Sequence, residues 1–169
     1  MREIEFRGRA LEDEDFFNIK KDDWIFGNYS YDKLTDKYYI EDTAEEDIKT
    51  IEVSFATIGQ YTGKTDENGT KIFEGDIVEF ETNVNCLTNE LKPYWKDCIE
   101  KQCVMGGGTW WVRKDQGVVQ WNSKDGMWDL KVYNNGKYKR KSKLFTFRDS
   151  GYVVVGNIYD NPELLKVAD

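Results

Sequence analysis

The stretch IGQYTGKTDENGTKIFEGDIVEF, from Ile58 to Phe80, decides the fold class. Its Asn68-Gly69 pair favours a tight type I′ hairpin turn, because both residue types tolerate positive φ. The runs QYT and KIF on either side would form the two strands of this hairpin, and Gly75-Asp76 makes a second break before the apolar run IVEF. The stretch is therefore predicted to be a hairpin, a turn and a further strand.

A ligand-binding loop is the alternative for the same stretch, and the spacing of its acids does not favour one. An EF-hand loop in this register needs an acid at Lys64 and a glutamate at Gly75. Glu74 and Asp76 flank the turn glycine, with no further acid at a set spacing. We therefore expect scaffold rather than a metal site, and no cofactor. This interpretation places two acids at the exposed tip of the hairpin: Asp66 and Glu67.

Other short runs rich in Tyr, Trp, Val, Ile and Thr are typical of strands. The candidates along the chain are REIEFRG, WIFGNYSY, KYYIED, TIEVSF, IFEGDIVEF, GVVQWN, MWDLKVY, KLFTFRD and GYVVVGNIY. In the first of them, Ile4 and Phe6 alternate with charged residues, which indicates a half-buried strand. In the run IVEF, Val78 and Phe80 should face away from Ile77 and Glu79.

Two segments have helical patterns. KPYWKDCIEKQC places Trp95, Ile99 and Cys103 on one helix face. NPELLKV begins with Asn161, a good N-cap, and Pro162, which fits the first helical position. TAEEDIK could add one more turn.

These patterns predict a mainly β protein, a β-rich α+β fold of short antiparallel strands with one or two short helices. We expect an N-terminal β lobe over residues 1–57 and an SH3-like or barrel-like C-terminal body over residues 58–169. A segment at about 82–115 resembles an insertion into that body.

The composition limits the possible chemistry. The chain has 169 residues, of which 39% are hydrophobic and 15% aromatic, enough for a sizeable core. It has no histidine, which removes His-activated nucleophiles, His general bases and the usual transition-metal ligands. Its three cysteines, Cys86, Cys98 and Cys103, fit neither a disulfide framework nor a zinc site. We therefore expect no enzyme, and an enzyme using carboxylates alone is the weakest alternative.

No apolar run is long enough to span a bilayer, and the N-terminus lacks the apolar region of a secretory signal. We expect a protein of the host-cell cytoplasm with no membrane contact.

Charge is unevenly distributed along the chain. The net charge is -8, and residues 1–59 carry 16 acids against 8 bases, also -8. Residues 60–115 carry 10 acids against 7 bases, and residues 116–169 carry 6 against 9, so these parts have net charges of -3 and +3. The pattern indicates a polarised surface, or simply acidic loops that keep the protein soluble.

The run KVYNNGKYKRKSKLF, around an Asn135-Gly136 hairpin turn, is a candidate working surface. Basic residues that alternate with tyrosines can bind a single nucleic-acid strand by charge neutralisation and stacking. The alternatives are a solvated hairpin tip, or an arm neutralised by the acidic N-terminal third of a neighbouring subunit. The candidate contact residues are Lys131, Lys137, Tyr138, Lys139, Arg140, Lys141 and Lys143.

Three phrases in order, the opening stretch, GVVQWNSKDGMWDL and VVVGNIYDNPELL, resemble the YopX family of phage and prophage proteins. REIEFRGRA and WIFGNY are similar to the N-terminal region of that family. The resemblance implies a β-rich fold, a phage-derived origin and an intracellular setting, and it implies no catalytic residue, cofactor or substrate. We expect a non-enzymatic accessory protein that binds protein, either further copies of itself as a homo-oligomer or an unknown host or phage protein. Nucleic-acid binding through the basic run is the alternative.

Overall fold

The computed structural model divides the chain into two units. It describes residues 3–42, 48–84, 98–102, 109–134, 137–143 and 151–165. The first unit comprises Met1–Thr65 and Gly69–Gly75, and the second comprises Asp66–Asn68 and Asp76–Asp169. The first unit thus extends beyond residue 57, the predicted limit of the N-terminal lobe, because the strand that begins at Gly59 pairs with the first strand of the chain.

The strands of the first unit are antiparallel. They are β1 (Phe6–Arg9), β2 (Trp24–Asp32), β3 (Lys37–Asp42), β4 (Lys49–Glu52), β5 (Gly59–Thr65) and β6 (Lys71–Phe73). Their order in the sheet is β4-β3-β2-β1-β5-β6. The mainly β class and the N-terminal β lobe are thereby confirmed.

The first four strands close into a ring. A β-bridge pairs Ala10, just after β1, with Val53, just after β4. Beside it, the amide of Ser54 donates to the carbonyl of Arg9 at 2.9 Å. Since β1 also pairs with β2, β2 with β3 and β3 with β4, the four strands form a closed circuit, which we call the strand ring.

The core of the strand ring comes from alternating positions on its strands. The buried residues are Ala10, Ile25, Ile40, Ile51 and Val53. Ile40 lies directly opposite Ile51, so that their side chains share one face. The prediction of a half-buried Ile4 is wrong: this residue precedes β1 and is 62% exposed, whereas Phe6 packs against the core.

Gly27 is the point where β2 changes partner. Residues 24–27 of β2 pair with β1, and residues 28–32 pair with β3. A Cβ atom at Gly27 would collide with the backbone carbonyl of Glu41. Glycine at this position therefore permits the close approach of β3 to β2.

Arg7 attaches the β5–β6 hairpin to the strand ring. Its guanidinium lies 4.6 Å from the ring centroid of Trp24 and 5.0 Å from that of Phe73. It also donates a hydrogen bond to the carbonyl of Glu74 at 3.2 Å. Arg7 is 7% exposed, so these contacts hold a charged side chain against apolar surface.

The second unit contains one antiparallel sheet. Its strands are β7 (Asp76–Val84), β8 (Cys98–Gln102), β9 (Thr109–Asn122), β10 (Met127–Asn134), β11 (Lys137–Lys143) and β12 (Val153–Asn157). The order is β11-β10-β9-β7-β12, with β8 paired to β9. The described strands of this unit form an open sheet. The barrel-like shape of the C-terminal body stays a prediction.

Both sides of β7 are covered where the strand begins. Ile77 and Val78 are each fully buried although they are adjacent and point to opposite faces. Both faces of the sheet are therefore covered at this end of the strand, with Val78 and Ile77 on opposite faces as predicted. On the neighbouring strands, Trp121 and Trp128 lie opposite each other with ring centroids 5.0 Å apart.

Within the described residues, one predicted helical segment is a strand and the C-terminal one is a short helix. Cys98–Gln102 is a strand, because β9 supplies a pairing partner and Ile99 lies opposite Val112. Some of the predicted elements and cysteines lie outside the described residues. They are residues 91–97, Cys103, Cys86, residues 43–47 of TAEEDIK and residues 144–149 of KLFTFRD. The C-terminal segment forms a short 3₁₀ helix over Pro162–Leu165. In the parts of the chain that the structure covers, there is no helix long and apolar enough to cross a membrane.

The hairpin turn of the opening stretch differs from the predicted type. Gly69 has a φ of 83°, as expected, but Asn68 does not have positive φ, so the turn is not type I′. The carboxylate of Asp66 accepts a hydrogen bond from the amide of Asn68 at 2.8 Å, and this side-chain contact sets the local turn. Asp66 is 8% exposed, so its predicted place at an exposed tip is wrong, whereas Glu67 is exposed.

Candidate functional site

Four aromatic side chains form a continuous row in the first unit. The rings of Tyr31 and Tyr38 are 4.9 Å apart between centroids and inclined by 29°. Tyr29 stacks on Tyr38 at 6.4 Å, and Phe55 lies 4.7 Å from Tyr38 on a short 3₁₀ turn after β4. We call Tyr29, Tyr31, Tyr38 and Phe55 the tyrosine row.

The strand register explains why these rings meet. Tyr29 and Tyr31 are two positions apart on β2 and therefore share a face. On β3, Tyr31 lies opposite Tyr38, and Tyr29 lies opposite the buried Ile40. The tyrosine row is thus a continuation of the core face of the strand ring.

The row continues the core face into solvent. Tyr29 is 39% exposed, Tyr31 45% and Phe55 65%. Leu34, in the turn that joins β2 to β3, is 96% exposed. Contiguous exposed apolar side chains mark interaction surfaces more often than isolated ones do. The arrangement can bury an apolar or aromatic partner group with little loss of side-chain entropy, because the rings are already held by one another.

A polar edge borders the tyrosine row at the β2–β3 turn. The hydroxyl of Tyr31 donates to the carboxylate of Asp36 at 2.8 Å, and this hydrogen bond raises the pKa of Tyr31. Asp32 accepts hydrogen bonds from the Thr35 hydroxyl at 2.7 Å and the Leu34 amide at 2.8 Å, which lower its pKa. Asp32 therefore fixes the turn, and Asp36 places a carboxylate beside the row.

A second concave feature of the first unit lies beside the first half of β2. This cleft has a volume of ≈ 530 Å³, and its lining includes Glu5, Asp23, Trp24 and Asp42. Its acids have other contacts: Glu5 pairs with Lys71 at 2.7 Å, and Asp23 accepts from the amide of Lys20 at 2.8 Å. Because these contacts are internal to the unit, the carboxylates are part of the scaffold, and the tyrosine row is the stronger candidate site.

The basic run forms the predicted β-hairpin. Lys131 is on β10, and the other six candidate contact residues, Lys137, Tyr138, Lys139, Arg140, Lys141 and Lys143, are on β11. The register places Lys141 opposite Lys131 and Tyr138 opposite Tyr133. The ammonium of Lys131 lies 5.8 Å from the ring centroid of Tyr133. The turn residues Asn135 and Gly136 lie outside the described residues. Among the described strands, β11 stands at one end of the sheet order, so six of the candidate residues lie along one border of the described sheet.

Two acids of the opening stretch, Asp66 and Asp76, are buried. Asp76 is 2% exposed at the start of β7, where it lies opposite Asn157. Asp66 uses one carboxylate oxygen for the amide of Asn68 and the other for the amide of Val154. Within the described residues there is no cluster of three or more potential metal ligands. These contacts support the scaffold interpretation of Asp66 and Asp76.

The tyrosine row is not among the site residues predicted from the sequence. Its signal is present in the sequence, because NYSY and KYYI face each other across the turn DKLTD. Whether the pairing of these two runs in a hairpin brings their tyrosines to one face depends on the register of the strands. Strand propensity identifies both runs but does not supply that register.

Comparisons with known proteins show the family of the chain. Among solved structures, the chain is similar to protein EF1440 from Enterococcus faecalis, a crystal structure, with 19% sequence identity and a TM-score of 0.46. That match covers 98% of this chain and 100% of the other. No curated protein matches the chain. The model of the YopX protein family matches residues 5–166, nearly the whole chain, so the protein belongs to the YopX family.

Proposed function

We propose that this chain is a non-enzymatic protein-interaction module, encoded by a phage or prophage and acting in the host-cell cytoplasm. The observation that carries the proposal is the exposed tyrosine row on an extension of the core face. Membership of the YopX family supports the phage origin.

The chemistry of the row suits protein binding. Tyrosine is enriched at protein interfaces, because it combines a large apolar ring with a hydroxyl and has few rotatable bonds. The contacts of Tyr38 with Tyr31 and Phe55 order the rings before any partner arrives. Binding to a preordered surface costs less conformational entropy than binding to a mobile one.

The non-enzymatic part of the proposal rests on the chemistry of the chain. It has no histidine for acid–base or nucleophile chemistry at neutral pH. Several described carboxylates serve turns or ion pairs, as Asp32, Asp66 and Glu5 do. These roles favour a binding protein over an enzyme that uses carboxylates alone.

Quantitative affinity capture from a bacterial host lysate tests the proposal. The double variant Tyr31→Ala/Phe55→Ala removes two exposed rings that lie outside the buried core. Phe16→Ala is the matched control, because Phe16 is 90% exposed and does not belong to the row. We expect bound proteins to be lost from the double variant and kept by Phe16→Ala. Equal capture by the wild type and the double variant would overturn the proposal.

Nucleic-acid binding by the basic edge of the second unit is a second candidate. It is favoured by one observation: β11, with five basic residues among seven, is the border strand of its sheet. Affinity for short single- and double-stranded oligonucleotides should then fall steeply with salt. Replacing Lys139, Arg140 and Lys141 by alanine should flatten the salt dependence. An unchanged slope would contradict phosphate contact by β11.

A further inference from the structure

We propose that the partner of the tyrosine row is the basic β11 edge of a second copy of this chain. This inference rests on the proposed function and names the occupant of the same surface. It predicts a head-to-tail contact, in which the first unit of one copy binds the second unit of the next.

Charge complementarity is the first argument. Residues 1–59, which include the strand ring and most of the row's surroundings, carry 16 acids against 8 bases, for a net charge of -8. Residues 116–169 carry 6 acids against 9 bases, for a net charge of +3, and five of these bases are in β11. Complementary charge on two surfaces raises the rate of encounter and selects the relative orientation of the partners.

The local chemistry of the row is the second argument. Asp36 holds a carboxylate 2.8 Å from the hydroxyl of Tyr31, so negative charge lies next to exposed aromatic rings. A lysine or arginine that enters this surface can contact a ring face and a carboxylate together.

The first unit already uses cation–ring contacts of this kind internally. Lys49 lies 5.8 Å from the ring centroid of Phe17, and Lys71 lies 5.3 Å from that of Tyr61. Basic side chains and aromatic rings are therefore compatible partners in this chain.

The position of β11 is the third argument. Among the strands that the structure describes, it pairs only with β10 and stands at the end of the sheet. An edge strand with many lysines resists indiscriminate pairing with other strands, because like charges repel. A surface with aromatic rings and a nearby carboxylate would neutralise those charges, so the same lysines that prevent aggregation would permit this one contact.

Because the two surfaces differ, the contact is heterologous. Each copy then has one donor and one acceptor surface, and association proceeds either to a closed ring or to an open chain of copies. Blocking one surface on each of two variants should limit their mixture to a dimer.

Sedimentation velocity on the full chain tests this directly. The row variant is Tyr31→Ala/Phe55→Ala, and the strand variant is Lys139→Ala/Arg140→Ala/Lys141→Ala. The wild type should associate in a concentration-dependent manner, and the association should weaken as salt screens the charges. For each variant alone, the dissociation constant of self-association should rise roughly tenfold or more, the size expected for an interface hot spot. Phe16→Ala should associate like the wild type.

Mixing the two variants gives the decisive result. An equimolar mixture should restore a dimer and no larger species, because one intact row meets one intact β11. Failure of the mixture to dimerise, or a wild type that stays monomeric at high micromolar concentration, would overturn the head-to-tail contact. Circular dichroism and thermal melts of each variant, compared with Phe16→Ala, show whether loss of association reflects loss of folding. If the wild type is monomeric and lysate capture still depends on Tyr31 and Phe55, the proposed function stands and this inference fails.

Discussion

The side chain of Asp66 accepts a hydrogen bond from the backbone amide of Val154 at 3.0 Å, although 88 residues separate the two in sequence. The same carboxylate accepts from the amide of Asn68 at 2.8 Å. A buried carboxylate that satisfies two backbone amides joins the hairpin turn to β12. It therefore stabilises the second unit, to which Asp66–Asn68 belong.

Replacing Asp66 by alanine should lower the free energy of unfolding by about 1–3 kcal/mol, because two backbone donors lose their acceptor. The neighbouring control Glu67→Ala should change it by no more than about 0.5 kcal/mol, because Glu67 is exposed. Urea unfolding followed by tryptophan fluorescence measures both values. Equal effects of the two substitutions would show that the Asp66–Val154 contact does not stabilise the fold.

Gly27 should be intolerant of any side chain. A Cβ atom there would strike the backbone carbonyl of Glu41 on β3, and the backbone of a paired strand has little room to move. We expect Gly27→Ala to cost about 2–3 kcal/mol, at the upper end for overpacking. Asn28→Ala, at the next position of β2 and exposed, is the control and should cost no more than about 0.5 kcal/mol. Thermal melts measure both effects. Equal melting temperatures of the two variants would contradict the close approach of β3 to β2.

Lys71 gives the first unit a defined pH dependence. Its ammonium donates to Glu5 at 2.7 Å and to Glu3 at 2.9 Å, and these hydrogen bonds raise the pKa of Lys71 well above the ordinary value of 10.5. A pKa raised by folding means that the stabilisation is fully present below the unfolded pKa and is lost as pH rises through the folded pKa. Because the side chain is 39% exposed, Lys71→Gln should cost at most about 1 kcal/mol near neutral pH.

The stability difference between the wild type and Lys71→Gln should then stay constant from about pH 7 to pH 9 and shrink above about pH 10.5. Urea unfolding at a series of pH values measures this difference. A difference that vanished between pH 7 and pH 9 would show that the two glutamates do not hold the proton on Lys71.

The Asp36 carboxylate should control the titration of Tyr31. Their hydrogen bond raises the pKa of Tyr31 above 10.0. Deprotonation would remove the hydrogen that Tyr31 donates to Asp36 and would place two negative charges side by side. Asp36 has a φ of 57°, so glycine is the replacement that removes the carboxylate without straining the turn. In Asp36→Gly the pKa of Tyr31 should fall toward 10.0, as measured by NMR of ring-labelled tyrosine. An unchanged pKa would mean that Asp36 does not border the tyrosine row.

The sequence predicts those parts of the fold that depend on local patterns. The alternation in MWDLKVY gives β10, with Trp128, Leu130 and Val132 buried. The positive φ of Gly69 also follows from local chemistry. The YopX family is recognisable from three phrases in order.

Structural features that depend on partners distant in sequence cannot be predicted from local sequence patterns. The helical spacing of Ile99 and Cys103 is overridden at Ile99 because β9 offers backbone partners. Asp66 accepts a hydrogen bond from the amide of Val154, and the sequence around Asp66 does not identify that partner. The tyrosine row depends on the pairing of Tyr31 with Tyr38, and a shift of one residue would send the rings to the other face.

The central claim is that the tyrosine row is a protein-binding surface, and site-specific photo-crosslinking in bacterial cells tests it most directly. A benzophenone amino acid replaces Tyr31 in one variant and Phe16, a more exposed ring outside the row, in the other. We predict a covalent protein adduct, with a second copy of the chain or with another protein, from position 31 and none of comparable yield from position 16. Adducts of equal yield from the two positions, or none from position 31, would contradict the account.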